Sequence, residues 1–402
     1  MLSDADIEKL LARVLNRQEK LNTYIIQKIA ERVREIGNLL PSEVHTLEQI
    51  LKSGNDIKEI EDKIAGLTKL NVHDIEQIFI YVANDAYRDK KPYYDYRQTP
   101  YVSFLENDNI QNIIKTITAL AVLQYLDSIG SLVFMMFTSK ASNTPQPMSV
   151  KTTYNTVVNC AIQALSSGLD YKIITARLLQ QLADSSLRTL LSETNDVFYT
   201  TQMTVELKRQ LLNYIRDLNQ QIQDELGRQL GADGKEISVH EMSAPDHEPI
   251  QGHQFTDAEY EKLQNEQDFE DVNGSKFSAI TRAIGTWNCR HFTYSIIVGF
   301  SKPRFTQEEL DKNIERNQAG YTNSRGRHRT LYECTQEQRR LERQIRSAKH
   351  TIIAGRASSN DILLDRGRAN LAKFTKQYSS FSRACGIPTE PNNCYVEGYQ
   401  GG

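Results

Sequence analysis

The chain has 402 residues, of which 39% are hydrophobic and 25% are charged, and its formal net charge is -3 at pH 7. These values are typical of a soluble globular chain with about two or three domain equivalents, and they exclude a disordered chain, a collagen and a small disulfide scaffold. A chain of this length buries about three-quarters of its unfolded surface, so its bulk stability needs neither a metal nor a disulfide.

Three features concern the compartment. Residues 1–10 are acidic and polar where a secretory signal is basic and then apolar, so we expect no such signal. The five cysteines include no Cys-x-x-Cys pair, which predicts reduced thiols. The most apolar stretch, 110–137, is interrupted by Lys115 and Asp127. We therefore predict that it is buried core and that the protein has no membrane contact.

Apolar residues at three- and four-residue steps predict helices through the first 230 residues, with almost no strand before Gly227. A helix pair is predicted within 109–137. The other predicted helices are 7–40, a short helix from Ser42 to before Gly54, then 57–67, 74–85, 154–165, 170–182 and 207–227.

Residues 87–101 contain two prolines and five tyrosines, with four Lys or Arg side chains between them. Prolines favour a loop, and tyrosine is enriched at interfaces because it buries a large area at low entropic cost. We predict an ordered loop that docks a protein partner, with ordinary loop packing as the alternative.

The composition changes at two places. Residues 139–149 are rich in Ser, Asn, Thr and Pro and predict a linker, and at Gly231 the apolar spacing becomes irregular, which predicts a domain boundary. The fold class is therefore mostly α, with a helical N-terminal half and a smaller α+β C-terminal domain. The predicted regions are 1–138 (helical), 150–230 (helical), 232–388 (α+β) and 389–402 (tail).

Two residue pairs in the C-terminal part have the spacing of a capping box, which starts a helix. They are Thr306 with Glu309 and Thr335 with Gln338. A last helix is predicted over 360–384, because a glycine and a proline follow it.

The strongest local signal is a pair of polar clusters at 238–252 and 285–291, which bring together histidines, the single tryptophan and one cysteine. The motif residues are His240, His247, Gln251, Gly252, Trp287, Asn288, Cys289, Arg290 and His291.

Three interpretations of these clusters are open. The first is a zinc site, because histidine and cysteine are the ligands that zinc prefers, although the spacing matches no standard zinc motif. Its ligands would come from His240, His247, Cys289 and His291, with Asp246 supporting one of them.

The second interpretation is a thiol nucleophile. Cys289 would be activated by one of the three histidines, Gln251 would help to hold an oxyanion, and Arg290 would favour the thiolate. The third, which we favour, is a polar core whose side chains satisfy one another's hydrogen bonds. We therefore predict no cofactor, although zinc is the metal that these residues would suit. The alternative function is a thiol- or metal-dependent acyl-transfer or processing enzyme.

Common enzyme motifs give no further support to catalysis. The sequence contains no Walker A motif, no Gly-x-Gly-x-x-Gly, no His-Glu-x-x-His and no Gly-x-Ser-x-Gly. Nucleotide hydrolysis, dinucleotide chemistry and the common hydrolases therefore lose support.

At the polar clusters, the chain resembles the phage minor capsid protein 2 family, which is related to the Mu protein F-like minor head proteins. The resemblance is specific over 237–310 and looser elsewhere. Many relatives have arginine where this chain has Ala244 and tryptophan where it has Ile250, which weakens a catalytic interpretation. The matching positions are Ser238, His240, His247, Gln251, Gly252, Gly285, the segment 287–291, the segment 299–301 and the helix start at Thr306.

The resemblance implies a minor head protein of a tailed phage or prophage that is made in the host bacterial cytoplasm. It implies a place in the virion, at the capsid interior or the portal vertex, with a role in head assembly or genome delivery. The implied partners are the portal protein and/or the major capsid protein. We expect the amphipathic N-terminal helices to dock on these partners.

A basic region predicts contact with double-stranded DNA through its phosphates. Gly320 and Gly326 predict a mobile loop within this region. The alternative is a solvated helix face whose charges pair with Glu337 and Glu342. The candidate DNA-contact residues are Arg325, Arg327, Arg329, Arg339, Arg340, Arg343, Arg346 and Lys349.

Overall fold

The computed structural model describes residues 2–40, 55–88, 90–137, 146–194, 197–286 and 289–399. The chain divides into two units, and each is assembled from three separate segments. The four linear regions expected from the sequence stay a prediction. Unit 1 comprises Met1–Leu11, His73–Gln124 and Arg209–Gln336, and unit 2 comprises Ala12–Val72, Tyr125–Lys208 and Glu337–Gly402.

Helices dominate the described residues, so the mostly α fold class with small sheets is confirmed. Short 3-10 helices occur at Phe104–Glu106, Glu248–Ile250 and Pro391–Cys394. The α-helices are α1 (Asp4–Gly37), α2 (Asn55–Tyr87), α3 (Lys91–Tyr96), α4 (Asp108–Gly130), α5 (Val150–Ser166), α6 (Tyr171–Ser185), α7 (Met203–Leu230), α8 (Asp257–Gln264), α9 (Gln307–Ala319), α10 (Leu331–Ser358) and α11 (Asp361–Ala384).

Unit 2 contains a four-stranded antiparallel sheet in the order β2-β1-β3-β4. The expectation of almost no strand before Gly227 is therefore wrong. A short apolar run such as that of β1 does not distinguish a strand from a buried helix, since both patterns are continuous. The strands are β1 (Leu132–Phe137), β2 (Gln146–Ser149), β3 (Arg188–Thr194) and β4 (Val197–Gln202).

Unit 1 contains a three-stranded antiparallel sheet in the order β6-β5-β9 and two small hairpins, β7-β8 and β10-β11. The strands are β5 (Gly234–Ile237), β6 (Gln254–Thr256), β7 (Phe269–Glu270), β8 (Lys276–Phe277), β9 (Thr293–Ile296), β10 (Tyr321–Thr322) and β11 (His328–Arg329). The core beneath the three-stranded sheet is apolar and includes Ile237, Ile250, Phe255 and Leu263.

Several predicted helix bounds need correction. The helices expected at 57–67 and 74–85 are one helix, α2, because no proline separates them and the buried Asn71 between them donates a hydrogen bond to the hydroxyl of Tyr125. The pair expected within 109–137 is α4 followed by β1. The predicted helix after Ser42 lies outside the described residues, as does most of the predicted linker, whose last four residues form β2.

Helix starts follow local capping. The predicted capping box of Thr306 and Glu309 is confirmed at α9. The one at Thr335 is wrong, since α10 begins earlier and Thr335 lies within it. There the Glu333 N–H donates to Thr330 Oγ1 at 3.2 Å and the Thr330 N–H donates to Glu333 Oε2 at 2.9 Å. The predicted last helix is confirmed as α11, which Asn360 caps.

α1 is a core helix. Leu21, Ile25 and Ile29 are at most 1% exposed. The apolar face of α1 is therefore not available to a partner, and the expected docking of the N-terminal helices on capsid partners stays a prediction.

The tyrosine-rich segment 87–101 is partly a helix, α3, with Pro92 in its first turn. Tyr87 and Tyr94 are buried, and the Tyr94 hydroxyl donates to Gln229 Oε1 at 2.8 Å. These two tyrosines pack within the protein, so the docking interpretation is wrong for them.

α4 is long and apolar enough to span a membrane by length and composition, but 28% of its most apolar window is buried. Ile110, Ile114 and Ile117 are at most 6% exposed, whereas Leu120 and Leu123 are 46% and 57% exposed. The prediction of buried core is therefore right for one face of α4 and wrong for the other. The absence of membrane contact stays a prediction.

A buried ion pair stabilises unit 2. Glu19 Oε1 lies 2.7 Å from His350 Nε2, and Thr204 Oγ1 donates to Glu19 Oε2 at 3.1 Å. Burial, the largest influence, works to raise the pKa of Glu19, but the charge and hydrogen bond of His350 outweigh it and the pKa falls to about 2. A carboxyl whose pKa is lower in the folded state stabilises the fold above its unfolded pKa.

We predict that Glu19→Gln lowers the free energy of unfolding near pH 6 by on the order of 2 to 3 kcal/mol. The difference from the wild type should shrink as the pH falls from about 4.5 through about 2, because protonation removes the charge from wild-type Glu19. Urea unfolding at a series of pH values measures this. Glu308→Gln, at an exposed position, is the control and should show no such difference. A pH-independent deficit of Glu19→Gln would contradict the assignment.

Candidate functional site

Three strand ends meet at one edge of the three-stranded sheet. β5 runs antiparallel to both neighbours, so the residues that follow β5 lie beside those that precede β6 and β9. The Ser238 N–H donates to Phe292 O at 2.9 Å, and the Gly252 N–H donates to Ile237 O at 2.9 Å. Segments far apart in sequence, 238–240, 251–253 and 289–292, are thus brought together.

α7 holds the Cys289 segment from the other side through two residues one helical turn apart. Arg216 Nη1 donates to the carbonyls of Cys289 and Thr286 at 2.8 and 2.9 Å. Gln220 accepts the Thr293 N–H at 2.8 Å and donates to its hydroxyl at 2.9 Å. The carbonyls of Thr286 and Cys289 and the N–H of Thr293 are therefore satisfied by side chains of α7.

Cys289 lies between two histidines. Its Sγ is 3.5 Å from His247 Nδ1 and 3.6 Å from His291 Nδ1, and the three side chains are buried. These three ligand atoms lie within 4.8 Å of one another, the distance at which they could hold a metal ion.

Carbonyl oxygens lie on the far side of both imidazoles. His247 Nε2 donates to Arg282 O at 2.6 Å, and His291 Nε2 lies 3.4 Å from Gln251 Oε1. Asp246 forms a bidentate ion pair with Arg282 and so positions the segment that contacts His247. Each ring therefore presents its Nδ1 to the thiol.

The electrostatics of the pair favour charge on Cys289 and His247. Burial, the largest influence on each, disfavours the charged form, but their mutual contact outweighs it, so the pKa of Cys289 is lowered and the pKa of His247 is raised. Burial and nearby positive charges hold the pKa of His291 well below its ordinary value. His291 is therefore neutral at physiological pH.

His240 and Gln251 support this centre rather than joining the three ligand atoms. His240 Nε2 lies 3.0 Å from Ser238 Oγ, and the His240 N–H donates to Gln251 Oε1 at 3.0 Å. An oxyanion hole would need Gln251 to donate a hydrogen bond from its side-chain nitrogen. Here Gln251 instead directs its oxygen, Oε1, at His240 and His291, and that oxygen can only accept. Cys289 is 3% exposed, which argues against a nucleophile that meets a substrate.

Two of the motif residues fall outside the part of the chain that the structure describes, and two residues of α7 that contribute to this arrangement were not predicted from the sequence. Trp287 and Asn288 lie outside the described residues. Arg290 is half-buried. The sequence interpretation missed Arg216 and Gln220, whose only signal is that their spacing places them on one face of α7.

The first three DNA-contact candidates belong to the β10-β11 hairpin of unit 1. Asn323 Oδ1 accepts the N–H groups of Arg325 and Arg327 at 2.9 and 3.0 Å, and Gly326 adopts a φ of +74° in the turn. Arg325 and Arg327 are exposed and Arg329 is half-buried. The expected mobile loop is thus a hydrogen-bonded hairpin.

The other candidates lie on α10, in unit 2. Arg346 and Lys349 donate to main-chain carbonyls of the 3-10 helix Pro391–Cys394, each at 2.5 Å. Arg340 pairs with Glu337 at 2.6 Å, as the solvated-face alternative predicts. These three cations already have partners within the chain. The other exposed candidates are Arg339 and Arg343.

The family model of phage minor capsid protein 2 matches residues 2–381, nearly the whole chain. The chain belongs to this family. It is thus a minor capsid protein, associated with the virion and with other capsid components. The chain has no significant match among curated proteins or among solved structures. The sequence resemblance is confirmed. In this minor capsid protein, five described residues of the polar clusters, His240, His247, Gln251, Cys289 and His291, form what we call the Cys289 centre.

The sheet that carries the Cys289 centre has no room for a side chain at Gly234. A Cβ there would lie 2.5 Å from the main-chain oxygen of Phe255 in the neighbouring strand. We predict that Gly234→Ala lowers the free energy of unfolding by about 2 to 4 kcal/mol, measured by urea denaturation.

Gly274→Ala is the control for this change. Gly274 has a φ of +84° but open space around it, so its alanine variant should cost only about 1 kcal/mol of backbone strain. If Gly234→Ala were no more destabilising than Gly274→Ala, the close approach of β5 and β6 would be refuted.

Proposed function

We propose that this minor capsid protein docks on the portal or the inner capsid through the exposed face of α4 and contacts packaged DNA through the β10-β11 hairpin. Family membership supports a capsid partner in general. The observation that carries the docking proposal is the apolar exposed face of α4, and the hairpin arginines carry the DNA proposal.

The docking face comprises Ala119, Leu120 and Leu123, which lie on one side of α4 in unit 1 and are exposed. Leu120 and Leu123 are about half exposed, although the opposite side of the helix is buried. Leucines clustered on one helix face are typical of a surface that another protein covers.

A protein partner suits this face better than a bilayer does. One side of α4 packs into unit 1 through Ile110, Ile114 and Ile117, so the helix cannot present its whole circumference to lipid. The exposed side also carries Asn112 and Lys115 at its start. A capsid component is therefore the proposed occupant.

We predict that Leu120→Glu combined with Leu123→Glu reduces incorporation into phage heads by roughly tenfold or more, because two apolar anchors become charged. Heads assembled with each variant are purified and the protein is quantified by mass spectrometry. A parallel assembly without the portal protein separates the two partners, since incorporation that needs the portal identifies it as the docking partner.

The matched control is Leu169→Glu with Ile173→Glu, two apolar residues of similar exposure in unit 2. This control should enter heads normally. Equal incorporation of both double variants would refute the docking face. Binding of the wild type to lipid vesicles in a flotation assay would favour a membrane partner instead.

The hairpin suits a phosphate backbone. Its turn is closed by hydrogen bonds from the main-chain N–H groups of Arg325 and Arg327 to Asn323 Oδ1, so the two arginine side chains extend from an ordered turn. Exposed arginines can neutralise phosphates, and phosphate contacts read no base sequence.

We predict that Arg325→Ala with Arg327→Ala weakens binding of double-stranded DNA and reduces the slope of log affinity against log salt by about 2, because two phosphate contacts are lost. Fluorescence anisotropy at several salt concentrations measures both quantities. The control is Arg366→Ala with Arg368→Ala, two exposed arginines on α11. An unchanged slope in the hairpin variant would contradict the proposal.

A further inference from the structure

We propose that His247, Cys289 and His291 bind one zinc ion, with Nδ1, Sγ and Nδ1 as its three protein ligands. The inference concerns the Cys289 centre of unit 1 and does not depend on where the protein docks.

The two sulfur–nitrogen distances match those of a tetrahedral zinc ion. Zinc bonds of about 2.3 Å to sulfur and about 2.0 to 2.1 Å to nitrogen, at the tetrahedral angle, place sulfur and nitrogen about 3.6 Å apart. Here Cys289 Sγ is 3.5 Å from His247 Nδ1 and 3.6 Å from His291 Nδ1.

Proton counting also favours a cation. A carbonyl oxygen only accepts, so the contacts of His247 Nε2 with Arg282 O and of His291 Nε2 with Gln251 Oε1 assign a proton to each Nε2. The orientation of Gln251 is set by the His240 N–H, which donates to its oxygen. With both rings neutral, each Nδ1 directs a lone pair at the same sulfur.

The single proton of the Cys289 thiol cannot satisfy both Nδ1 lone pairs. The thiol can donate to one imidazole only, which leaves the other lone pair facing sulfur in a buried place. If His247 were instead doubly protonated beside a thiolate, His291 Nδ1 would still face the negative sulfur. A divalent cation accepts all three lone pairs at once.

The surroundings of the three ligands are those that hold metal-binding histidines rigid. Zinc-bound histidines donate their second N–H to a carbonyl or carboxylate, which fixes the ring orientation. Arg282 O and Gln251 Oε1 take this place, and the Asp246–Arg282 ion pair supports the first. On the thiol side, Arg216 holds the main chain of Cys289.

The described residues provide three ligands, so a water molecule completes the tetrahedron. The ion would join the segment before the 3-10 helix Glu248–Ile250, which carries His247, to the segment entering β9. Zinc would therefore act as a cross-link between segments that no strand pairing connects directly, and its binding would stabilise the folded state.

Metal content of the full-length protein tests the site. After purification from zinc-supplemented medium and removal of loosely bound metal with a weak chelator, elemental mass spectrometry should find about one zinc ion per chain. Cys289→Ser, His247→Gln and His291→Gln should each lower this content by roughly tenfold or more. Their thermal midpoints should no longer rise when zinc is added.

Two matched variants control for general effects on the fold. Cys394→Ser changes another buried thiol, and His253→Gln changes a buried histidine whose Nδ1 contacts Asp271. Both variants should retain about one zinc ion per chain. Loss of zinc in these controls as large as in the ligand variants would overturn the assignment.

Cobalt substitution decides the case even if the ligand variants fail to fold. Co²⁺ supplied to the metal-free wild type should give the visible bands of a tetrahedral ion and a near-ultraviolet band from thiolate coordination. A folded wild type that takes up neither zinc nor cobalt overturns the proposal. So does a cobalt spectrum without thiolate coordination, or full zinc content in folded Cys289→Ser.

Discussion

The pairing of β5 with strands on both sides is the constraint on which the Cys289 centre depends. It places the end of β5 beside the starts of β6 and β9 at one edge of a small sheet. Gly234 allows the close approach of β5 and β6, and Arg216 and Gln220 on α7 satisfy the main chain that leads into β9. The strands position the Cys289 centre, and side chains of α7 form the hydrogen bonds that its buried main-chain groups need.

Burial decides which of the amphipathic helices can meet a partner. α1 has the more regular apolar pattern, yet residues such as Ile25 and Ile29 are fully buried, so its pattern records internal packing. α4 has a weaker pattern because it is apolar on more than one side. Leu120 and Leu123 remain exposed although the opposite face of α4 is buried, which is why our docking proposal rests on α4 rather than on α1.

A similar distinction applies to the positive charges of the C-terminal part. Arg346 and Lys349 donate to carbonyls of the chain itself, and Arg340 pairs with Glu337. Arg325 and Arg327 instead extend from a hairpin that Asn323 closes. The count of basic residues is therefore a poor guide to DNA contact, because a cation that already has a partner within the chain contributes less to phosphate binding.

Local patterns determined much of this protein. Apolar periodicity predicted α1, α5, α6 and α7, and the glycine and proline after residue 384 predicted the end of α11. The spacing of Thr306 and Glu309 predicted the start of α9, and the order of polar residues identified the family. These features depend on residues close together in the chain. The four-stranded sheet and the continuous α2 were not foreseen, because short apolar runs are ambiguous and long-range pairing leaves no mark on spacing.

Tertiary structure alone decided which members of the polar clusters meet. His247 and Cys289 are 42 positions apart, and no spacing rule relates them, yet their side chains are in contact. His240, which the sequence ranked equally, supports Gln251 instead. The sequence could name the chemical groups, since these are properties of single residues. Distances between them depend on how strands pair across the intervening chain, and only the folded structure determines that.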